Sequence, residues 1–289
     1  MGAVKRPLRI SLVIPVYNEQ AYLRACLDAV AAQQVPFFEV IVVDNNSTDD
    51  TAAIAESYPF VRLLREPRQG VFFARNAGFN AATGDIIART DGDTILAPDW
   101  TIQALQLFSE PALDAVSGIV SYRDIGLRKV FDRIDTWYRG FLAQRCQKRG
   151  ELFLYGVNMA MRRSAWLKVR DHLCAERRFA EDLDIAAHLS EDGCRLGFAS
   201  ELHATIVPRQ AAAPFRDFYT YTWSGPRTYA AHGLNSRRLM YPMAIFVLLV
   251  YVPIRVLFLG YDPTRERFSF GYIWRTSVQP RVSPVSESL

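Results

Sequence analysis

The strongest constraint on the fold is the apolar run at residues 10–16, in which Ser11 is the one polar residue. A strand of this kind is buried on both faces, as in a parallel sheet covered by helices. Similar short runs follow at residues 40–43, 61–64, 85–88 and 115–120, and segments with helical spacing separate them. This alternation predicts an α/β fold with a doubly wound, mostly parallel sheet and helices on both faces.

Polar side chains follow these apolar runs, where the predicted strands end. They are Tyr17, Asn18, Glu19, Asp44, Asn45, Asn46, Asp91 and Asp93. Ligands of open α/β sheets bind beyond the carboxyl ends of the strands, so we expect a site there. Asp91 and Asp93 flank a single glycine, and paired carboxylates suit Mg²⁺ or Mn²⁺ bridging a diphosphate. The alternative for this pair is a solvated turn.

Three further segments each allow a functional and a structural interpretation. Asp44 ends a strand and is placed to accept hydrogen bonds from a base or ribose, whereas residues 47–49 fit a turn and helix cap. Arg75 lies near the start of a helix, where it would reach a phosphate or form a surface ion pair. Glu181, Asp182 and Asp184 begin another helix, which fits either capping or general-base chemistry.

Composition and missing motifs exclude several classes of protein. A net charge of +4 is too small to indicate nucleic-acid binding. The first strand is followed by neither GxGxxG nor a P-loop, and there is no GxSxG elbow. The four cysteines form no CxxC pair, and the four histidines show no ligand spacing. We therefore expect free thiols rather than disulfides or a zinc site, and histidines that are structural or exposed.

The motifs in order resemble the family 2 glycosyltransferases of GT-A fold, over roughly residues 8–210. The resemblance rests on VIPVYNE, VVDNNSTD, the segment 70–84, Asp91-x-Asp93 and Glu181-Asp182-x-Asp184. It implies a hexosyl transferase with a nucleotide-diphospho-sugar donor, a divalent metal (Mn²⁺ or Mg²⁺) and inversion at the anomeric carbon.

The resemblance also implies roles for individual residues. Pro15, Tyr17 and Glu19 would line the nucleoside pocket, and Asp44 and Asn46 would belong to the donor site. Arg75 would lie near the diphosphate, Asp91 would contact ribose or metal, and Asp93 would bind the metal. Asp182 would deprotonate the acceptor, and Glu181 and Asn158 would lie on the acceptor side. Processive members carry QxxRW, but residues 219–223 have no Gln or Arg before Trp223. We therefore expect transfer of one sugar. His203 does not match the spacing of the family's histidine and is not assigned to metal.

The predicted catalytic domain covers residues 1–215, with a donor half at 8–122 and an acceptor half at 150–210. Residues 216–289 form a helical appendage. Within it, residues 239–260 are apolar and long enough for ~30 Å of hydrocarbon, but contain Pro242, Pro253 and Arg255. We expect association with a membrane, while a crossing, an interfacial helix and a buried helix all stay open.

Residues 123–149 form a basic amphipathic helix whose apolar stripe is Leu127, Val130, Ile134, Trp137 and Phe141. This stripe would either dock on an anionic surface or pack on the core. The N-terminus has no apolar run typical of a signal peptide, so we expect the cytoplasmic face of a membrane. The expected partners are the donor and a saccharide or lipid-linked acceptor of the cell envelope, with no nucleic acid. A nucleotidyltransferase and a non-catalytic nucleotide-sugar binding module are the competing hypotheses.

Overall fold

The computed structural model describes residues 6–125, 128–149, 151, 153–176, 178–262, 265, 267–269 and 271. Their elements in chain order are β1 (Ile10–Val16), α1 (Leu23–Ala31), β2 (Glu39–Asp44), α2 (Thr51–Glu56), β3 (Val61–Arg65), α3 (Val71–Ala81), β4 (Ile86–Arg89), β5 (Ile95–Leu96), α4 (Trp100–Ser109), β6 (Ala115–Tyr122), α5 (Arg128–Gln147), β7 (Met159–Arg162), α6 (Arg163–Val169), α7 (Glu181–Glu191), β8 (Leu196–Ile206), a 3-10 helix (Arg209–Ala212), α8 (Phe215–Ala231), α9 (Arg237–Leu249), α10 (Tyr251–Leu259), β9 (Tyr261–Asp262) and β10 (Arg267–Phe268).

Eight strands form one sheet in the order β3-β2-β1-β4-β7-β6-β8-β5. The first four in this order are mutually parallel, as the apolar runs predicted. β7 enters antiparallel between β4 and β6, and β8 runs parallel to β6. The α/β class and the mostly parallel sheet are therefore confirmed, with antiparallel strands added in the acceptor half.

The side chains of β1 divide between the two faces of the sheet. Leu12 and Ile14 pack into one core with α1 and α4, where Trp100 is fully buried. Val13 packs into the opposite core with α3, α6 and α7, where Phe79 and Trp166 meet edge to face. Because side chains alternate along a strand, each face needs its own apolar cover, and helices supply it on both sides.

The apolar segment predicted at residues 239–260 is two helices rather than one. α9 ends at Leu249, four residues before Pro253. A proline has no N–H to donate to the carbonyl four residues earlier, and its ring would clash with that carbonyl in a continuous helix. Among the described residues no single helix is long and apolar enough to span a bilayer. Together α9 and α10 pass that test, with a bend of 51° between them.

The second of these helices is tied to the 3-10 helix at residues 209–212. The Arg255 guanidinium donates to the Ala213 and Ala212 carbonyls at 2.6 and 2.8 Å. The Tyr251 hydroxyl also donates to Ala213 (2.8 Å). Arg255 therefore anchors α10 to the segment that carries Arg209. The outward face of α9 and α10 is apolar and includes Ile245, Phe246, Leu249 and Val252.

The basic helix predicted at residues 123–149 is α5. Its Trp137 is 70% exposed and stacks on the exposed Phe141, while Leu142 and Cys146 on another face are buried. Leu127 and the side chains of Val130 and Ile134 lie outside the described residues. At Trp137 and Phe141, then, the predicted stripe faces solvent rather than the core.

Candidate active site

The polar ends of β1, β2 and β4 lie at one edge of the sheet because these strands are parallel neighbours. Glu19, Asp44, Asp91 and Asp93 are all buried there. Pro15 is buried within β1, and Tyr17 is partly exposed just beyond it. The structure thus brings together the residues that the sequence placed at strand ends.

Asparagines with left-handed backbone shape the loops after β1 and β2. Asn18 has φ 53° and Asn46 has φ 62°, a region that asparagine tolerates better than most residues. The Asn18 N–H donates to Ser47 Oγ (3.0 Å), and Asn18 Oδ1 accepts from the Thr48 N–H (2.8 Å). These bonds join the two loops that flank the predicted nucleoside pocket.

Asn45 organises the chain leading into α3, a role that sequence reasoning did not assign. Its amide donates to the Glu66 and Arg68 carbonyls (both 2.8 Å), and its Oδ1 accepts from Gly70 N–H (2.7 Å). The exposed Asn46 donates to the Pro67 carbonyl (2.8 Å).

Asp44 also contributes to the turn after β2. Its Oδ1 accepts from the Ser47 N–H at 3.2 Å. A contact between Asp44 and a nucleobase stays a prediction.

A buried arginine, Arg209, closes the donor edge. Its Nη2 lies 2.6 Å from Glu19 Oε1 and 2.7 Å from Asp93 Oδ2, and its Nε donates to the same Asp93 oxygen (2.8 Å). The guanidinium also lies over the Tyr22 ring, 4.4 Å from its centre. We call Arg209, Glu19 and Asp93 the Arg209 clamp.

The geometry of the Arg209 clamp fits a divalent cation. Two carboxylates, from Glu19 and Asp93, converge on one positively charged atom, and hard oxygen donors of this kind are what Mg²⁺ and Mn²⁺ prefer. Gly92 lies so close to Glu19 that an added Cβ would sit 3.1 Å from its Cγ. Glu19 therefore lies beside the carboxylate pair predicted at Asp91 and Asp93.

A second buried arginine, Arg89, joins the donor edge to α7. Its Nη2 donates to Asp91 Oδ1 (3.1 Å) and its Nη1 to Glu181 Oε1 (2.7 Å). Gly156 covers the guanidinium so closely that a Cβ there would lie 2.5 Å from Nη1. We call Arg89, Asp91 and Glu181 the Arg89 cluster. Sequence reasoning assigned no role to Arg89, although Arg89 is the last residue of β4 and lies only two residues before Asp91.

Arg75 does not lie where the sequence-based interpretation placed it. It is fully buried, and its Nη1 donates to the Glu181 backbone carbonyl (3.0 Å). Its guanidinium lies among Phe72, Phe79 and Trp166. A helix-start position suggested a phosphate contact, but this turn of α3 faces the core. In this conformation Arg75 holds the Glu181 backbone through a hydrogen bond from the core side and is not exposed to a diphosphate.

The two neighbouring carboxylates at the start of α7 have opposite pKa shifts. Burial alone would raise the pKa of Glu181, but the charges of Arg89 and Arg75 outweigh it and hold that pKa below its usual value. Burial, together with the adjacent Glu181 charge, raises the pKa of Asp182 to about 6. A pKa in this range suits a group that exchanges protons near neutral pH.

Asp182 is held in place by two backbone N–H groups. Its Oδ2 accepts from Gly156 (2.9 Å) and its Oδ1 from Leu183 (2.9 Å). The residue is only partly buried, so a ligand has access to it. Asp182 therefore combines a fixed orientation with accessibility, both of which a general base needs.

Asn158 has a structural position instead of the expected acceptor contact. It is fully buried, and its amide donates to the Ile119 and Leu202 carbonyls at 2.8 and 2.9 Å. Its Oδ1 accepts from the Trp100 indole (2.8 Å). Asn158 therefore joins β7 to β6, β8 and α4 and presents no surface to an acceptor.

The model of the family "Glycosyl transferase family 2" matches residues 11–169, more than half of the chain. The chain belongs to glycosyl transferase family 2. The family predicted from the ordered motifs is thereby confirmed.

Known proteins agree with this family and fold. The chain is 32% identical over 147 residues to glycosyltransferase AglE of Haloferax volcanii, a match that covers 48% of each chain. It therefore spans about half the length of this relative. Among solved structures, the mannosyltransferase PcManGT of Pyrobaculum calidifontis, in complex with GDP-Man and Mn²⁺, is similar over 94% of this chain and 79% of its own, with a TM-score of 0.65 and 21% identity.

The S. aureus protein TarS 1-349 in complex with UDP-GlcNAc is similar over 88% of this chain and 72% of its own, with a TM-score of 0.53 and 19% identity. These likenesses confirm the GT-A fold. Of the motifs that carry the resemblance, VIPVYNE, VVDNNSTD and Asp91-x-Asp93 lie at the ends of β1, β2 and β4, whereas Glu181-Asp182-x-Asp184 begins α7.

Proposed function

We propose that this protein is an inverting glycosyltransferase that moves one hexose from a nucleotide-diphospho-sugar to a hydroxyl acceptor. One observation carries the proposal: a single guanidinium, that of Arg89, binds both Asp91 of the predicted donor site and Glu181, the residue before Asp182. The donor carboxylates and the candidate base are thereby fixed within one site. A transferase needs this arrangement, because a hydroxyl must reach the anomeric carbon while the diphosphate is held.

The donor side is formed by the edge of β1, β2 and β4. Pro15, Tyr17 and Asp44 would line the nucleoside pocket. A divalent ion would be held by Asp93 and Asp91 with Glu19 alongside, and when bound it would offset the charge of the leaving diphosphate. The Arg209 guanidinium occupies the place between Glu19 and Asp93. We infer that Arg209 has to withdraw for a divalent ion to bind.

The chemical step is a single displacement. Asp182 accepts the proton of the acceptor hydroxyl while the acceptor oxygen bonds to the anomeric carbon. The bond from that carbon to the phosphate oxygen breaks, and its electron pair leaves with the nucleoside diphosphate. Attack from the side opposite the leaving group inverts the anomeric configuration. Burial and, after it, the neighbouring Glu181 charge raise the pKa of Asp182 to about 6, which suits it to accept this proton.

The relatives favour a nucleotide-diphospho-sugar as donor. PcManGT was solved with GDP-Man and Mn²⁺, and TarS with UDP-GlcNAc. The absence of QxxRW at residues 219–223 favours a single transfer. We propose a saccharide or lipid-linked acceptor at a cytoplasmic membrane face, because the apolar face of α9 and α10 and the exposed Trp137 of α5 fit an anionic lipid surface.

A donor panel tests this function. The protein is incubated with GDP- and UDP-sugars, with and without Mn²⁺, and release of nucleoside diphosphate is followed. We expect slow hydrolysis of one donor that needs the metal and stops in Asp182→Asn. Nucleotide binding without turnover of any donor would indicate a binding module. Pyrophosphate release from a nucleoside triphosphate and a sugar phosphate would indicate a nucleotidyltransferase.

A further inference from the structure

A second group of ligand-type side chains gathers around α7, which also carries Asp182. Cys174 comes from the segment between α6 and α7, Asp184 and His188 from α7, and His232 from the end of α8. One potential ligand atom of each residue lies within 4.8 Å of those of the other three. We call these residues the α7 cluster. The end of α8 meets α7 and the segment before it there, although His232 is 48 residues from Asp184.

Asp184 lies at the centre of the α7 cluster and is fully buried. Its Oδ1 is 2.9 Å from His232 Nε2 and 3.7 Å from His188 Nε2. Its Oδ2 accepts from the Cys174 backbone N–H (2.9 Å). His188 Nε2 is buried and has no hydrogen-bond partner among the described residues. A buried nitrogen of this kind costs free energy unless something binds it.

Glu191 orients both imidazoles toward the centre. One of its oxygens lies 3.2 Å from His232 Nδ1 and the other 3.5 Å from His188 Nδ1. Metal-binding histidines typically donate their second ring N–H to a carboxylate, which fixes the tautomer and leaves the other nitrogen for the metal. In the α7 cluster both Nε2 atoms face Asp184, as such an arrangement requires.

We propose that the α7 cluster binds a zinc-type transition-metal ion through Cys174, Asp184, His188 and His232. One sulfur, two imidazole nitrogens and one carboxylate oxygen make up a four-ligand set of the kind that Zn²⁺ takes in tetrahedral sites. A thiolate and a carboxylate together balance the charge of a dication. Softer sulfur and imidazole ligands distinguish this site from the all-oxygen set of the Arg209 clamp.

The residues around the α7 cluster leave a path by which a metal ion could enter, and a bound ion would link two helices. A cavity of about 300 Å³ opens beside His188 and is also lined by Glu191, Asp192 and His172. Binding through the Cys174 sulfur would release the thiol proton. The bound ion would join the end of α8 to the helix that carries Asp182. It would therefore act as a structural tie for the catalytic helix.

Cobalt substitution tests the proposal independently of transfer activity. The full chain carrying Asp93→Ala, which removes a ligand of the other predicted site, is titrated with Co²⁺ and followed by absorption. We expect a thiolate-to-cobalt charge-transfer band and intense d–d bands of tetrahedral cobalt, with about one ion per chain. Zn²⁺ should abolish these bands, because it binds such sites more tightly than Co²⁺.

Variants identify the ligands. Cys174→Ser should lose the charge-transfer band and His232→Gln should weaken Co²⁺ binding, whereas Cys194→Ser, a cysteine outside the cluster, should keep the wild-type spectrum. A Co²⁺ spectrum without a thiolate band in the Asp93→Ala chain would overturn the proposal. So would a band that survives Cys174→Ser.

Discussion

Arg89 and Arg209, two buried arginines of the site, are alike in chemistry and different in anchorage. Each pairs with two carboxylates, Arg89 with Asp91 and Glu181, and Arg209 with Glu19 and Asp93. Arg89 ends a central strand and is enclosed by Gly156. Arg209 belongs to a short 3-10 helix after β8, outside the sheet. From this difference we infer that Arg89 is a permanent tie in its cluster and that Arg209 is a cation that a metal ion can displace.

The largest expected effect concerns the base that the Arg89 cluster positions. Asp182→Asn should lower transfer by at least ~10²-fold, because asparagine keeps the size but accepts no proton. Donor binding should stay within a few-fold of wild type. Initial rates and donor titrations measure both, with Asp171→Asn, an exposed change, as the control. Transfer at the wild-type rate would move the role of base to another carboxylate.

Removing each arginine in turn tests the comparison directly. Arg89→Gln removes the guanidinium that pairs with the buried Asp91 and the partly buried Glu181, which should cost about 3–5 kcal/mol of unfolding free energy. Mn²⁺ should not restore this loss. Arg209→Gln should also destabilise the protein, but here Mn²⁺ should recover the loss, since it replaces the missing cation between Glu19 and Asp93.

The same pair of variants separates the arginines by metal affinity. In the absence of nucleotide, Arg209→Gln should bind Mn²⁺ at least about tenfold more tightly than wild type, a difference of about 1.4 kcal/mol. Unfolding midpoints and Mn²⁺ titrations supply the measurements. Equal metal responses from the Arg89 and Arg209 variants would remove the distinction between a permanent tie and a displaceable cation.

These contacts also show what the sequence can and cannot predict. β1 lies at its predicted bounds, and the ends of β2 and β4 follow because apolar runs stop where the chain leaves the sheet. The Arg209 clamp joins residues 190 and 116 positions apart, a pairing that no local pattern encodes. Arg75 and Asn158 were misplaced because a helical or strand position does not reveal which face turns to the core.

The antiparallel half of the sheet was predicted less well for a similar reason. β8 runs over Leu196–Ile206, outside the apolar runs from which the sheet was predicted, and pairs antiparallel with the short β5. Exposed polar residues interrupt its apolar pattern at Ser200 and Glu201. The alternation resumes with the buried Leu202 and Ala204, after a register shift in the pairing with β6, so no single period covers the whole strand.

A smaller effect is expected on the pH dependence of transfer. The rate should fall as the pH drops through about 6, because Asp182 then takes up a proton and no longer accepts one from the acceptor. Glu181→Gln removes the neighbouring negative charge, so the pKa of Asp182 should fall and the acid limb should move to lower pH. A pH–rate profile of the two proteins measures the shift. An unmoved limb would mean that Glu181 does not tune the base.

The smallest expected effect concerns the lipid surface. Lys129 and Arg133 are exposed on α5, and changing both to Gln should weaken binding to anionic liposomes by about 1 kcal/mol each. Leu249→Ser with Val252→Ser should weaken binding to anionic and neutral liposomes alike, since both side chains are exposed and apolar. Phe60→Ser is an exposed apolar control outside both segments. If the full chain floats with neither anionic nor neutral liposomes, α5, α9 and α10 do not form a lipid-docking surface.

The central claim is that the carboxylates at the end of β4 hold the donor diphosphate through a divalent ion. Calorimetric titration of a nucleoside diphosphate, with and without Mn²⁺, tests it most directly. Wild type and Asp28→Ala, an exposed control, should bind more tightly with the metal. Asp93→Ala should show no gain from Mn²⁺. A metal-dependent gain in Asp93→Ala equal to that of wild type would contradict the account.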